Sequence, residues 1–148
     1  MSNYIALAGL FDRELNRLKT EINNYNRESA IWQKDKQINN SAGNLALHLC
    51  GNLEHFIGHV LGGSSYQRNR KNEFEGRVTR EEIAILIDSA RKHVKATLEK
   101  LTNEEGQKEF PIQVFDRPFS TEEFIYHLYG HLTYHIGQIS YHRRLIDY

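Results

Sequence analysis

Apolar residues recur along most of this chain at spacings of three, four and seven, the period of a helix with one buried face. Over residues 4–26 that pattern places Ile5, Ala8, Leu15, Leu18, Ile22 and Tyr25 on one side. Residues 41–62 predict a second helix, entered from "INNS" and closed by Gly62 and Gly63, because glycine adopts the left-handed backbone that ends a helix. Thr79 and Glu82 have the spacing of a capping box before a third helix, whose stripe is Ile83, Leu86, Ala90, Val94 and Leu98. Ser120 and Glu123 repeat that signature before a fourth, which runs to the neighbourhood of Arg144.

The pattern therefore predicts an all-α chain of four helices with two long connections. About 16 residues separate the second and third helices and about 18 the third and fourth, beyond the usual 2–8 of a minimal bundle. Connections of that length let a helix cross over and run parallel to its predecessor. Within the last one, "FPIQVF" (110–115) predicts a short strand or an extended arm. There is no internal repeat or linker-like tract, and the chain reads as one domain over residues 1–148.

Composition narrows the function classes. Apolar residues make up 39% and charged residues 26% of 148, with two prolines, which suits a folded chain rather than a disordered one. Nineteen basic and nineteen acidic side chains cancel, so no global field draws the protein to nucleic acid or an anionic membrane. The lone Cys50 has no internal disulfide partner and fits a buried apolar thiol or a reducing compartment. "MSNYIALAGLFDRELNRLK" lacks a basic leader and no segment reaches transmembrane length, so a cytoplasmic protein is expected.

The chemistry lies in the histidines. "YGHLTYHIGQISYH" (129–142) carries three of the eight, with His127 just upstream. On a helix, residues four apart lie one above the other, about 5–6 Å apart at Cβ. By composition alone about 0.4 such histidine pairs are expected; three occur, at 55/59, 127/131 and 131/135, which justifies a metal hypothesis. His131 and His135 can meet one ion, and a third ligand must come from another helix. His48, His55 and His59 have spacings that put them near one face of the second helix, and His93 on the third is another candidate. Cys50, roughly 200° around the helix from His48, points away. Three imidazoles with an open position suit catalytic zinc, and nickel is compatible, whereas a structural zinc site normally closes with a fourth protein ligand.

"LALHLCGNL" (45–53), "RNRKNEFEG" (68–76) and "GHLTYHIGQISY" (130–141) resemble the DinB/YfiT-like superfamily. They are most similar to a bacterial subfamily of unknown function with an H-L-x-G-N motif, an R-x-R-x-x-E-F loop and an H-x3-H-x-G-Q-I ending. The resemblance implies a four-helix bundle of up-down-down-up topology and a divalent metal, usually nickel or zinc, held by three histidines. Carried onto this chain, the ligands are His48, His131 and His135; the choice of His48 over His55 comes from the resemblance. It also implies a homodimer. Some relatives are thiol S-transferases using low-molecular-weight thiols, others thiol-dependent isomerases or metal hydrolases.

Several residues carry two readings. Asn52, one turn beyond His48, and Gln138, three residues beyond His135, can hydrogen-bond a ligand or substrate, or bridge helices. Arg68 and Arg70, with Glu73, can pair with an anionic substrate, or form a solvated loop anchored by Glu73 and Phe74. His55, His59, His127 and His142 lie outside the motifs and read as packing or surface residues; Tyr134 and Tyr141 read as packing or dimer-interface residues. The functional expectation is metal-dependent transfer or hydrolysis on a small molecule, with a thiol cosubstrate and no catalytic base identified. The competing class is a non-enzymatic, metal-stabilised binding or stress-response module.

Overall fold

The computed structural model describes residues 2–148. Its helices are α1 (Tyr4–Asn23), α2 (Ala42–Leu53), α3 (Arg70–Glu75), α4 (Arg80–Lys100), α5 (Asn103–Gln107) and α6 (Thr121–Ile146). A π-helix over Glu54–Leu61 continues α2, and a 3-10 turn over Glu28–Trp32 follows α1. The four long helices are the expected ones; the short α3 and α5 lie inside the two long connections.

Cross-helix pairs fix the topology. Arg91 Nε meets Asp12 at 2.9 Å and Lys19 meets Asp88 at 2.8 Å, so α1 and α4 run antiparallel. Tyr4 donates to Glu122 (2.7 Å) and Arg143 pairs with Glu21 (2.8 Å), so α1 and α6 run parallel. Glu54 meets His93 (2.8 Å), while Gly62 packs on Thr97, so the α2 segment and α4 run parallel. His48 faces His131 and Phe56 faces Phe124, so α2 and α6 run antiparallel. The result is up-down-down-up. The long crossover between α2 and α4 is what makes their parallel packing possible.

One continuous apolar core fills the centre, with Phe11, Leu15, Leu18, Leu49, Leu53, Ile57, Ile83, Ile87, Val94, Phe124 and Leu132 buried. Two predicted core positions are corrected. Ile5 is 42% exposed and Leu86 is 39% exposed; Tyr4 and Leu7 cover the start of α1 instead, and Ile87 takes the place in α4. In both cases two apolar residues are adjacent, and spacing alone does not choose between registers that differ by 100°.

The predicted boundaries have their physical causes in place. Thr79 and Glu82 form the reciprocal capping box, and Ser41 and Ser120 accept the N–H groups of Asn44 and Glu123. Gly63 has φ 73°, the left-handed stop that glycine adopts without a Cβ clash. The 110–115 stretch is neither a strand nor an evenly extended arm: bends at residues 111, 112 and 115 interrupt it, and an isolated bridge between Glu109 and Ser120 pins its base. Phe110 N–H donates to the Phe119 carbonyl and Thr121 N–H to the Lys108 carbonyl, each at 2.8 Å, and Phe110 stacks on Phe124 with centroids 4.1 Å apart. No described helix is long and apolar enough to cross a membrane.

Candidate metal centre

Where α2 and α6 face one another the core gives way to three imidazoles. His48 sits in the second turn of α2, a helix buried along almost its whole length, and α6 delivers His131 and His135 one turn apart. His48 Nε2 lies 3.1 Å from His131 Nε2, and His135 Nε2 also lies 3.1 Å from His131 Nε2. One nitrogen from each ring falls within 4.8 Å of the other two, a grouping able to hold a metal ion.

The opposite sides of the rings explain why these nitrogens are available. His48 Nδ1–H donates to Glu73 Oε1 at 3.0 Å, and His135 Nδ1–H donates to Gln138 Oε1 at 2.7 Å. With the Nδ1 positions protonated, the Nε2 lone pairs of His48 and His135 point at His131. Burial pushes His131 down to about 3, and the neighbouring His135 and His48 push the same way. Burial likewise lowers His135, against the hydrogen bond it donates to Gln138. At most one proton can sit among the three nitrogens, whereas a divalent cation satisfies all three lone pairs at once. The donor set fits a borderline metal with nitrogen ligands.

Two buried polar atoms have no partner among the described residues: His131 Nδ1 and Asn52 Oδ1. Ligation through Nε2 would put a proton on His131 Nδ1, and Asn52 Oδ1 is an acceptor one turn beyond His48.

Glu73 arrives from the crossover. Asn69 caps α3 by accepting the Asn72 N–H, and Asn44 Nδ2 ties the arm to α2 through the carbonyls of Glu73 (3.1 Å) and Gly76 (2.9 Å). Arg68 closes its fork on the Glu73 carboxylate, Nε at 2.9 Å and Nη2 at 3.0 Å. Burial alone would raise Glu73, but the hydrogen bonds from His48 and Arg68 outweigh it and hold the carboxyl below its usual range. Arg68 also lies over the Phe56 ring, 5.6 Å from its centroid. Arg70 is exposed over Phe74, which itself packs 4.8 Å from the His48 ring. Of the two arginines, Arg70 is therefore the one with its guanidinium turned to solvent, one ring removed from His48.

The other histidines are elsewhere. The π-helix winds with i→i+5 bonds, visible as Gly62 N–H donating to the Ile57 carbonyl (2.9 Å), and carries the face of His48 away from His59. His55 and His59 stack on each other, and His59 Nδ1 bonds the Ser64 carbonyl. His93 is held by the buried Glu54 carboxylate. His127 packs on Phe115 and lies 6.4 Å from His131, ring to ring. His142 is buried, accepting from Tyr25 O–H (2.6 Å) and donating from Nε2 to the Gln33 carbonyl (2.7 Å). Cys50 is buried and pushed up to about 12 by that burial, then by Glu54 and Glu73. A cavity of about 380 Å³ lies behind Gln138, on the Nδ1 side of His135, walled by Asn39, Asn40, Leu45, Tyr141 and Leu145; none of the three converging histidines lines it.

The family model described as "Protein of unknown function (DUF1572)" matches residues 6–147. The chain belongs to that family. This DUF1572 chain is also similar to the solved structure titled "Crystal structure of the conserved protein of locus from Enterococcus faecalis". The TM-score is 0.78 over 99% of this chain and 98% of that one, at 12% identity. At that identity the likeness establishes the fold, and the fold is the DinB-like all-α bundle that the motifs implied. No curated protein matches the chain.

Proposed function

We propose that this DUF1572 protein is a cytoplasmic metalloprotein, one domain over residues 1–148, that uses a zinc or nickel ion in metal-dependent transfer or hydrolysis on a small molecule. The observation that carries the reading is the convergence of three imidazoles, the Nε2 atoms of His48 and His135 each 3.1 Å from that of His131, two of the rings with their protons drawn to the far side. His48, His131 and His135 are the ligands in this reading. A divalent ion held by these three imidazoles would supply Lewis acidity, which would lower the pKa of a water or thiol bound to it.

The surrounding residues favour an enzyme over a purely structural site. His131 and His135 are only partly buried, so the face they present is open to a small molecule. Arg70 is the cation available to an anionic substrate, while Gln138 holds His135 with its oxygen. A low-molecular-weight thiol is the leading cosubstrate, since a thiol must shed a proton to attack and an ion at the site favours the thiolate.

A homodimer fits the outer face of α6. Tyr126, Tyr134, Tyr141 and Leu145 are all exposed there, and Gly130 and Gly137 have nothing within 4 Å of where a Cβ would be. Small residues beside rigid aromatics allow a second copy of α6 to approach closely. Balanced charge argues against nucleic acid as a partner.

The test is metal analysis of the purified protein beside a His131→Ala, His135→Ala double variant. The expected result is bound zinc or nickel in the first and its loss in the second; equal content overturns the site. Turnover of low-molecular-weight thiols with electrophilic acceptors, abolished by chelation, is then expected, and its absence across such a panel overturns the transferase reading.

A further inference from the structure

The crossover between α2 and α4 enters the bundle at only one charged side chain that touches a candidate ligand. Glu73 is buried, its Oε1 accepts from His48 Nδ1, and both of its oxygens are held by the Arg68 fork. α2 makes room for it: a Cβ built on Gly51 would run into the carboxylate, 2.6 Å from its Cδ. Gly51 lies one turn from His48 in a helix interior, where glycine is unfavourable by roughly 1 kcal/mol relative to alanine. The close approach of Glu73 accounts for that choice. Asn44 adds two bonds to the arm's backbone, so His48, Gly51 and Asn44 together present a receptacle on α2 for one carboxylate.

We infer that Glu73 is a positioning residue for the metal: it fixes His48 in the Nδ1–H tautomer, and its charge, kept by Arg68, makes Nε2 a stronger donor. This rests on the three-histidine reading and deepens it, because metal affinity becomes conditional on the crossover arm being docked. A carboxylate accepting the outer N–H of a ligating histidine orients the ring and raises its basicity, and losing such a partner lowers metal affinity by about 10–100-fold. Glu73 and Arg68 thereby act on the ion through His48.

The test uses zinc and the whole chain. Zinc affinity is measured by competition with a chromophoric chelator for the wild type, Glu73→Gln, Glu73→Leu and Gly51→Ala, with helicity and melting of each metal-free protein recorded alongside. Glu73→Gln keeps an acceptor but loses the charge, and Glu73→Leu loses both, so affinity is expected to fall in that order, by about 10-fold or more at the second step. Gly51→Ala is expected to weaken zinc binding without altering any ligand. In the metal-free wild type, two-bond ¹⁵N–¹H correlation is expected to find His48 protonated on Nδ1, a readout that needs no variant to fold. Folded Glu73 variants that bind zinc within twofold of the wild type, or a His48 protonated on Nε2, overturn the inference. The His131→Ala, His135→Ala protein run in parallel separates the two failures: if it binds zinc like the wild type, the ligand set is wrong.

Discussion

His48 Nε2 and His131 Nε2 face each other at 3.1 Å across the α2–α6 interface, a distance at which two ring nitrogens need a proton or a cation between them. A proton is the weaker solution here. With the Nδ1–H groups of His48 and His135 drawn toward Glu73 and Gln138, a neutral His131 has one Nε2–H to share between two acceptor nitrogens, each 3.1 Å away, whereas a cation meets all three lone pairs.

Replacing His48 by Gln is therefore expected to lower zinc affinity by more than the roughly 10–100-fold that a supporting residue contributes. His55→Ala and His127→Ala are expected to leave it unchanged, because neither ring joins the three converging nitrogens. Chelator competition on the three proteins checks this, and parity of His48→Gln with His55→Ala would sink it.

The metal-free protein is expected to lose stability in mild acid. His131 is held at about 3 in the folded chain, by burial first and then by His135 and His48, against an ordinary value of 6.5. Between those values the unfolded chain binds a proton that the folded chain refuses, so stability is full above 6.5 and falls as pH drops toward 3. Thermal melts of chelator-treated protein from pH 7 to 4 are expected to fall more steeply for the wild type than for His131→Phe.

His142 is expected to matter for stability and not for metal. It accepts the Tyr25 hydroxyl and donates to the Gln33 carbonyl, tying α6 to the segment that follows α1. His142→Leu leaves both groups buried or half-buried without that partner, at about 1–3 kcal/mol for an unsatisfied group. Urea unfolding with metal analysis separates the two effects; loss of metal with unchanged stability would contradict the assignment.

Phe124→Ala is expected to destabilise the protein by about 3–5 kcal/mol. Its ring is buried against Phe110 at 4.1 Å and Phe56 at 5.1 Å, so its loss opens a cavity and unseats the arm. Ile112 and Val114 are exposed on the same arm, and their replacement by Ser is expected to leave the urea midpoint nearly unchanged.

Helix periods, caps and stops are local properties, and most were legible in the residues: Thr79 with Glu82 and the Gly62–Gly63 ending do in the structure what their spacing predicts. Ser120, by contrast, caps α6 alone, because the Glu123 carboxylate that would complete its capping box is taken by Arg117. The pair His131/His135 was legible for the same reason, since a four-residue spacing on one helix needs no tertiary information. The motif resemblance supplied the bundle topology and pointed to His48.

Tertiary structure alone decided the rest. Ile5 and Leu86 fit the apolar stripes, yet their neighbours Tyr4 and Ile87 face the core, because the choice depends on how the helices are rotated against one another. Periodicity kept His59 on the face of His48, and a π-helix, which spacing does not announce, removed it. Arg68 and Arg70 read alike in the sequence; a buried carboxylate binds the first and leaves the second at the rim. The bond from His48 to Glu73 joins residues 25 apart in sequence and exists only because the crossover folds back onto α2 where Gly51 lacks a side chain. Residue identity determined which chemistry the chain carries, and the packing of α2, α6 and the crossover determined which of its eight histidines meet.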